Sequence, residues 1–307
     1  MKIGRLETLT SEINPSVATI GFFDGVHLGH SYLIDQLKAE SASKNLESTI
    51  ITFDSHPRKV LKKDFQPSLL NTLEEKKALL AKTGVDNVII IHFDDSIASL
   101  SAFDFMSSML KRKLNVSELL IGYDNMFGHN RMEGFDDYVR FGKELNIEVK
   151  EALPLIVDDS AVSSSRVRKL LQAGDVRNAN KLLGYEYKLE GTVVHGNHIG
   201  ATLGFPTANM GMIDEGKLIP KGGVYCVRCM TSDSSLRTGM TNIGTRPTFY
   251  TNDEVTVETN ILDFNEDIYD EHFYIFFVDR IRDEQKFSSK EELIQQLNKD
   301  LQICGSL

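Results

Sequence analysis

Residues 21–30, reading G-F-F-D-G-V-H-L-G-H, restrict the possible folds more than any other part of this 307-residue chain. They follow the apolar run Val17-Ala18-Thr19-Ile20, which reads as a buried strand, and precede a helical pattern over about 31–43. A strand, a glycine-containing turn and a helix start form a geometry suited to phosphate. Glycine lets the backbone approach closely, and the free amides of the first helical turn point at the anion. Gly21, Phe22, Asp24, Gly25 and Gly29 are therefore candidate binding positions. His27 and His30 are spaced to share one face near the positive end of the helix. Both imidazoles could donate to a triphosphate, whose charge would favour their protonated forms.

The pattern beyond this turn alternates. Strands are expected at 48–53, 85–93, 117–121 and 147–153, and helices at 72–83, 101–113 and 136–146. In the helix over 72–83, Leu73, Lys76, Lys77 and Leu80 are spaced for an amphipathic segment. Alternation of this kind predicts a right-handed parallel α/β sheet, a Rossmann-like domain. Asp54-Ser55-His56-Pro57-Arg58 follows the second strand, at the strand end where open parallel sheets bind ligands. Val162-Ser163-Ser164-Ser165-Arg166-Val167-Arg168 heads another helix, where serines cap free amides and an arginine can pair with polyphosphate.

A short helix over 175–183 ends at Gly184, and the pattern then changes. Short β-like runs at 189–195, 223–230, 237–243, 255–262 and 272–278 predict a small antiparallel barrel or sandwich, closed by a C-terminal helix over 288–301. The expected domains are 1–184 and 185–307. Cys226 and Cys229 form a C-x-x-C within a strand, where they point to opposite faces with no second pair, so buried thiols are expected. The net charge of -10 argues against nucleic-acid and anionic-membrane partners but not against a phosphorylated small molecule. The first residues lack a signal-peptide apolar region and no apolar run approaches a membrane span, so a cytoplasmic location is expected.

The G-F-F-D-G-V-H-L-G-H string resembles the signature of the HxGH nucleotidyltransferases, and more closely the adenylyltransferase half of bacterial bifunctional riboflavin kinase/FAD synthetases. In that family F-D-x-H-P lines the flavin-nucleotide site, which makes His56 and Arg58 candidates. Residues 122–128, G-Y-D-N-M-F-G, match another family segment, with Asp124 at its acidic position. The resemblance assigns His27, His30 and Arg166 to phosphate stabilisation, with Mg²⁺ bridging the phosphates. FMN phosphate would attack the α-phosphorus of ATP and pyrophosphate would leave, so the protein supplies positioning and charge.

Residues 200–209, G-A-T-L-G-F-P-T-A-N, resemble the riboflavin-kinase signature. Gly204 and Pro206 shape a rigid turn, and Thr207 and Asn209 offer two neutral oxygens for Mg²⁺ with ATP. V-E-T-N-I resembles the segment carrying the kinase base, which names Glu258; Asn242 begins a loop matching the flavin or nucleotide enclosure. The sequence departs from the family at Asn125, where Phe is usual, and at Ala201, where many relatives have Arg. The resemblance implies small-molecule partners riboflavin, FMN, FAD and ATP. A nucleotidyltransferase for another substrate would lack the G-F-P-T-A-N domain, and a noncatalytic flavin-binding regulator would lose the groups named here.

Overall fold

The computed structural model describes residues 1–8, 13–56, 68–129, 132–196, 199–246 and 254–306. The chain forms two compact units, Met1–Ser164 and Ser165–Leu307. In the first, β2 (Ser16–Ile20), β3 (Glu47–Phe53), β4 (Asn87–Ile91) and β5 (Val116–Ile121) are almost wholly buried. Near-continuous burial is expected of parallel strands covered on both faces. With β1 (Lys2–Arg5) and β6 (Glu148–Glu151) they make a six-stranded parallel sheet in the order β1-β4-β3-β2-β5-β6, followed by a small antiparallel pair, β7 (Ile156–Val157) and β8 (Ser160–Ala161). Strand β1 has no apolar run and was not expected; it is held only as an edge beside β4.

Alternation along each strand sends neighbouring residues to opposite layers. Ala18, Ile20, Ile51 and Phe53 meet Met106, Leu110 and Tyr138 on one face. Val17, Ile50 and Val88 meet Ile34 and Leu37 of α1 (Leu28–Lys44) and Leu80 of α2 (Leu73–Ala81) on the other. The helix expected over 101–113 is α-helical at Ala102–Phe105 and then widens to a π-helix at Met106–Lys113, so that Leu114 N bonds the Met109 carbonyl at 2.9 Å. From β2 the chain builds outward to β3 and β4, then crosses back to place β5 on the other side of β2. That reversal is the topological switch point, the usual ligand crevice of an open α/β sheet.

The second unit opens with α3 (Ser164–Ala173), whose first residue ends the first unit, and α4 (Val176–Leu183). Both are tied to the β-structure that follows: Lys221 N donates to the Leu171 carbonyl at 3.0 Å, and Asn180 Nδ2 to the Phe277 carbonyl at 2.7 Å. The position 184 expected to divide the domains therefore lies inside this unit. Strands β9 (Lys188–Val194), β10 (Ala208–Gly211), β11 (Gly223–Met230), β12 (Leu236–Arg246), β13 (Glu254–Ile261) and β14 (His272–Arg282) close into a barrel in the order β10-β13-β12-β11-β14-β9. Full closure removes the edges that a sandwich would leave. Strand β10 begins at the end of the 200–209 stretch, where Ala208 and Asn209 pair with β13 and Asn209 to Gly211 with β9.

A final helix, α5 (Lys290–Gly305), is capped by Ser289 and lays Leu297 and Cys304 over Val224, Cys226 and Met240. The expectation of buried thiols holds for Cys229, whose thiol burial pushes up to about 12, but Cys226 is joined to Cys304 in a disulfide. The pairing spans 78 residues and depends on where α5 lands, which strand spacing does not reveal. Asp300 on α5 is fully buried and accepts from both Nε and Nη2 of Arg282, at 2.9 and 2.8 Å. Removing one member of such a pair strands the other charge. Asp300→Ala is expected to lower the unfolding free energy by about 3 kcal/mol, read as a shifted urea midpoint in circular dichroism of the full chain.

Candidate functional site

The turn after β2 is held in backbone conformations that side chains rarely adopt: φ is +55° at Phe23, +83° at Gly25 and +35° at the β-branched Val26. Such strain persists only where the surroundings impose it. Here Asp24, buried, accepts through Oδ1 from the amides of Leu70 (2.9 Å) and Asn71 (3.3 Å), while its carbonyl accepts from Ser164 Oγ at 2.8 Å. Phe22 lies edge-on to His56 at 4.8 Å. Gly29 permits a close crossing: a Cβ there would stand 2.8 Å from the Val162 carbonyl oxygen.

These contacts shape an open cleft of about 500 Å³ at the switch point. Its lining comes from His27, Gly29, His30 and Leu33, from Gly122, Tyr123 and Asp124 after β5, from residues 152–155 after β6, and from Val162, Ser163 and Ser164. Of the expected site residues, the fold thus gathers His27, Gly29, His30, Asp124, Ser163 and Ser164 in one place. Gly21, Phe22, Asp24, Gly25 and His56 form or flank the supporting turn rather than the lining. Ser165 and Arg166 continue α3 into the second unit, and Arg58 lies outside the described residues. Asn125 turns away from the cleft and donates from Nδ2 to the Ile20 carbonyl, fastening the loop after β5 to the end of β2.

Helix α1 starts at Leu28, ahead of the expected position, because His27 itself caps it: Nδ1 accepts from His30 N at 3.3 Å. An accepting Nδ1 leaves the proton of the neutral ring on Nε2. The His30 ring stacks on His27 with centroids 3.7 Å apart, and its Nδ1 is buried with no hydrogen-bond partner among the described residues. Burial first, then the nearby charges of His27 and Lys76, hold His30 well below the ordinary histidine value. Without an anion beside it, the surroundings of His30 favour the neutral ring. Lys76, read in the sequence as part of an amphipathic helix, is buried behind the same turn, with Nζ donating to the carbonyls of Phe22 (3.0 Å) and Phe53 (2.7 Å). Burial brings it down to about 8 against the opposing pull of Asp24 and Asp54. Its sequence signal was a lysine sharing the apolar face of Leu73 and Leu80.

In the barrel, register sets Asn209 of β10 opposite Glu258 of β13, and Glu258 opposite Asn242 of β12. Directly paired residues project to the same side of a sheet, so the three form a row. Asn242 Nδ2 donates to Glu284 Oε1 at 3.3 Å. Gly196 leaves room for the Asn209 amide: a Cβ at 196 would lie 2.2 Å from its Nδ2. Before β10, Gly204 takes φ +84°, and Phe205 N closes the loop onto the Gly200 carbonyl at 2.9 Å. Pro206 and Thr207 stand at the rim of a second open cleft, of about 740 Å³, at the barrel mouth. Among the described residues no cluster of His, Cys, Asp and Glu could hold a metal by itself. The Thr207 hydroxyl just before β10 and the Asn209 amide oxygen on it instead match Mg²⁺, which keeps several waters and takes nucleotide phosphates as ligands.

The His30 environment has a measurable consequence. Its imidazole resonances are expected to titrate with a midpoint well below 6.5, and His27→Asn to raise that midpoint by removing a ring that repels the His30 charge once it takes up a proton itself. A neutral buried histidine binds fewer protons than the unfolded chain below pH about 6.5, so this residue's contribution to stability falls on acidification from there. Proton NMR of the ring C–H signals against pH checks both.

Residues 9–166 match the family model described as FAD synthetase, and residues 183–307 the one described as riboflavin kinase. A bifunctional riboflavin kinase/FMN adenylyltransferase of Listeria monocytogenes is 37% identical over 95% of this chain and 92% of its own. The Bacillus subtilis protein of the same description is 36% identical over 94% and 90%, and that of Escherichia coli K12 is 35% identical over 92% and 90%. A crystal structure described as a macrolide-efflux protein from Streptococcus pneumoniae matches with TM-score 0.90 and 30% identity over 99% of each chain. Among the described residues of this chain no helix is long and apolar enough to cross a membrane. With both models matched in order and relatives similar along almost the whole length, the chain belongs to the bifunctional riboflavin kinase/FMN adenylyltransferase family.

Proposed function

We propose that the two activities of the family are divided between two sites of this chain: the switch-point cleft joins FMN to the adenylyl group of ATP, and the barrel row phosphorylates riboflavin with ATP. The observation carrying this reading is the assembly of His27, His30, Asp124, Ser163 and Ser164 around one cleft from three separate stretches of the first unit. By family resemblance Arg166, two residues beyond Ser164 along α3, joins them as a phosphate partner. The functional division is proposed at 184, with 1–184 serving adenylyl transfer and 185–307 the kinase.

In adenylyl transfer an FMN phosphate oxygen forms a bond to the α-phosphorus of ATP as the bond to pyrophosphate breaks. Neither step needs a protein nucleophile. His27 donates from Nε2 to a phosphate oxygen. His30 follows as its neighbour: anionic phosphates reverse the balance of charge around it and favour its protonated, donating form. The N-terminal amides of α1 add fixed positive potential. In riboflavin phosphorylation Glu258 orients the primary hydroxyl and accepts its proton as the oxygen attacks the γ-phosphorus of ATP. Asn242 holds the flavin or nucleotide beside it. The residues that would hold Mg²⁺ are Thr207 and Asn209, and the ion when bound neutralises developing phosphate charge. Small-molecule partners and a cytoplasmic location complete the reading.

The test incubates the full chain with riboflavin, ATP and MgCl₂ and resolves riboflavin, FMN and FAD over time. Wild type is expected to form FMN and then FAD. His30→Ala is expected to stall at FMN, with adenylylation down by about 100-fold. Glu258→Ala is expected to lose about 100-fold or more in FMN formation yet make FAD when FMN is supplied. A His30→Ala effect on both reactions, or no flavin turnover by wild type, overturns the assignment.

A further inference from the structure

Lys76 is placed for a role that none of the groups named so far performs. It is 3% exposed, and its ammonium donates to the Phe22 carbonyl (3.0 Å), the Phe53 carbonyl (2.7 Å) and Thr52 Oγ1 (3.3 Å). The three acceptors match the three N–H bonds of the ammonium. Thr52 Oγ1 itself donates to the Phe22 carbonyl at 3.2 Å, which closes the set. The Phe22 ring lies 4.1 Å from Nζ. Among the described residues no carboxylate forms an ion pair with it.

Burying an ammonium is costly even with the Asp24 and Asp54 carboxylates near enough to offset part of the cost, and an apolar side chain on this face of α2 would avoid it. What the charge accomplishes follows from its acceptors. Phe22 begins the strained turn that leads to His27, while Thr52 and Phe53 end β3. One ammonium therefore binds the turn after β2 to the end of the neighbouring strand, directly behind the cleft. It also adds positive charge close enough to be felt by His30.

We propose that Lys76 is a positioning residue for adenylyl transfer, clamping the carbonyl ends of β2 and β3 so that the turn presents His27 and the first amides of α1 to the nucleotide phosphates. This rests on the reading of the cleft as the FMN adenylylation site. The groups facing Lys76 are Asp24 from the turn, Asp54 after β3 and His30 from α1, with His27 stacked on His30 and Glu75 beside it on α2. Deprotonation would remove one donor and the whole charge. Bound phosphate would resist that loss, because an anion nearby favours the ammonium.

The experiment uses the full chain and measures kcat and KM for FMN adenylylation from pH 6 to 10, with riboflavin phosphorylation on the same samples as the reference. For wild type, kcat/KM is expected to fall as pH rises past about 8, since that ratio reports the free enzyme. The fall in kcat is expected at a higher pH than the fall in kcat/KM. Lys76→Met is expected to lose roughly 10- to 100-fold in kcat/KM at neutral pH, the scale of a displaced reacting group, with no alkaline limb and unchanged riboflavin phosphorylation. Lys76→Arg keeps the charge and is expected to abolish the limb while retaining more activity than Lys76→Met. The proposal is overturned if Lys76→Met adenylylates FMN like wild type, or if either variant keeps the wild-type limb. Should Lys76→Met fail to fold, the wild-type limb and its loss in Lys76→Arg decide alone. A wild-type chain that makes no FAD from FMN and ATP at any pH removes the underlying reading instead.

Discussion

The geometry of the first unit depends on how a strained turn is restrained at the end of β2. Phe23 and Val26 sit at positive φ, a conformation that side chains resist. The compensation arrives from elsewhere in the chain. The Asp24 carboxylate takes two amides at 70–71, the Asp24 carbonyl takes the Ser164 hydroxyl, and the Lys76 ammonium takes the Phe22 carbonyl. Every one of these partners is more than forty residues away in sequence, for instance 46 residues for Leu70 and 54 for Lys76. The turn is thus a product of the assembled sheet and its helices, and the histidines it delivers inherit their geometry from that assembly.

The barrel reaches a similar result by a different device. No strained turn is needed to align Asn209, Glu258 and Asn242; antiparallel register does it, because a slip of one residue would send every side chain to the other face. Closure of the six strands fixes that register on both sides of β13. One chain therefore combines two ways of aligning polar groups, an over-determined turn at a parallel switch point and a ladder row on a closed barrel. The chain carries both regions of its family, FAD synthetase at 9–166 and riboflavin kinase at 183–307.

Much of this was legible in residue order. Strand, turn and helix around 21–30, the change of pattern past Gly184 and the glycine and proline punctuation of 200–209 are local signals, and local signals survive in a single sequence. Strand β1 was hidden because an edge strand with charged residues has no apolar run. Lys76 was visible on the apolar face of its helix but looked like ordinary amphipathic spacing, since only the packing of α2 against the turn reveals three oxygen acceptors around it. Asn125, which departs from the family pattern, reaches the Ile20 carbonyl across more than a hundred residues. The Cys226–Cys304 pairing likewise needed the position of α5.

The sequence by itself determined the class of each unit, the order of the elements and the residue types able to bind phosphate and abstract a proton. Periodicity, turn residues and caps act within a few positions of the chain, so they are readable without a fold. Tertiary structure decided which of those residues share a cleft, and it decided the charge state favoured at His30 and Lys76. Both outcomes arise from burial and from groups brought close by sheet order, and burial is a property of the packed molecule.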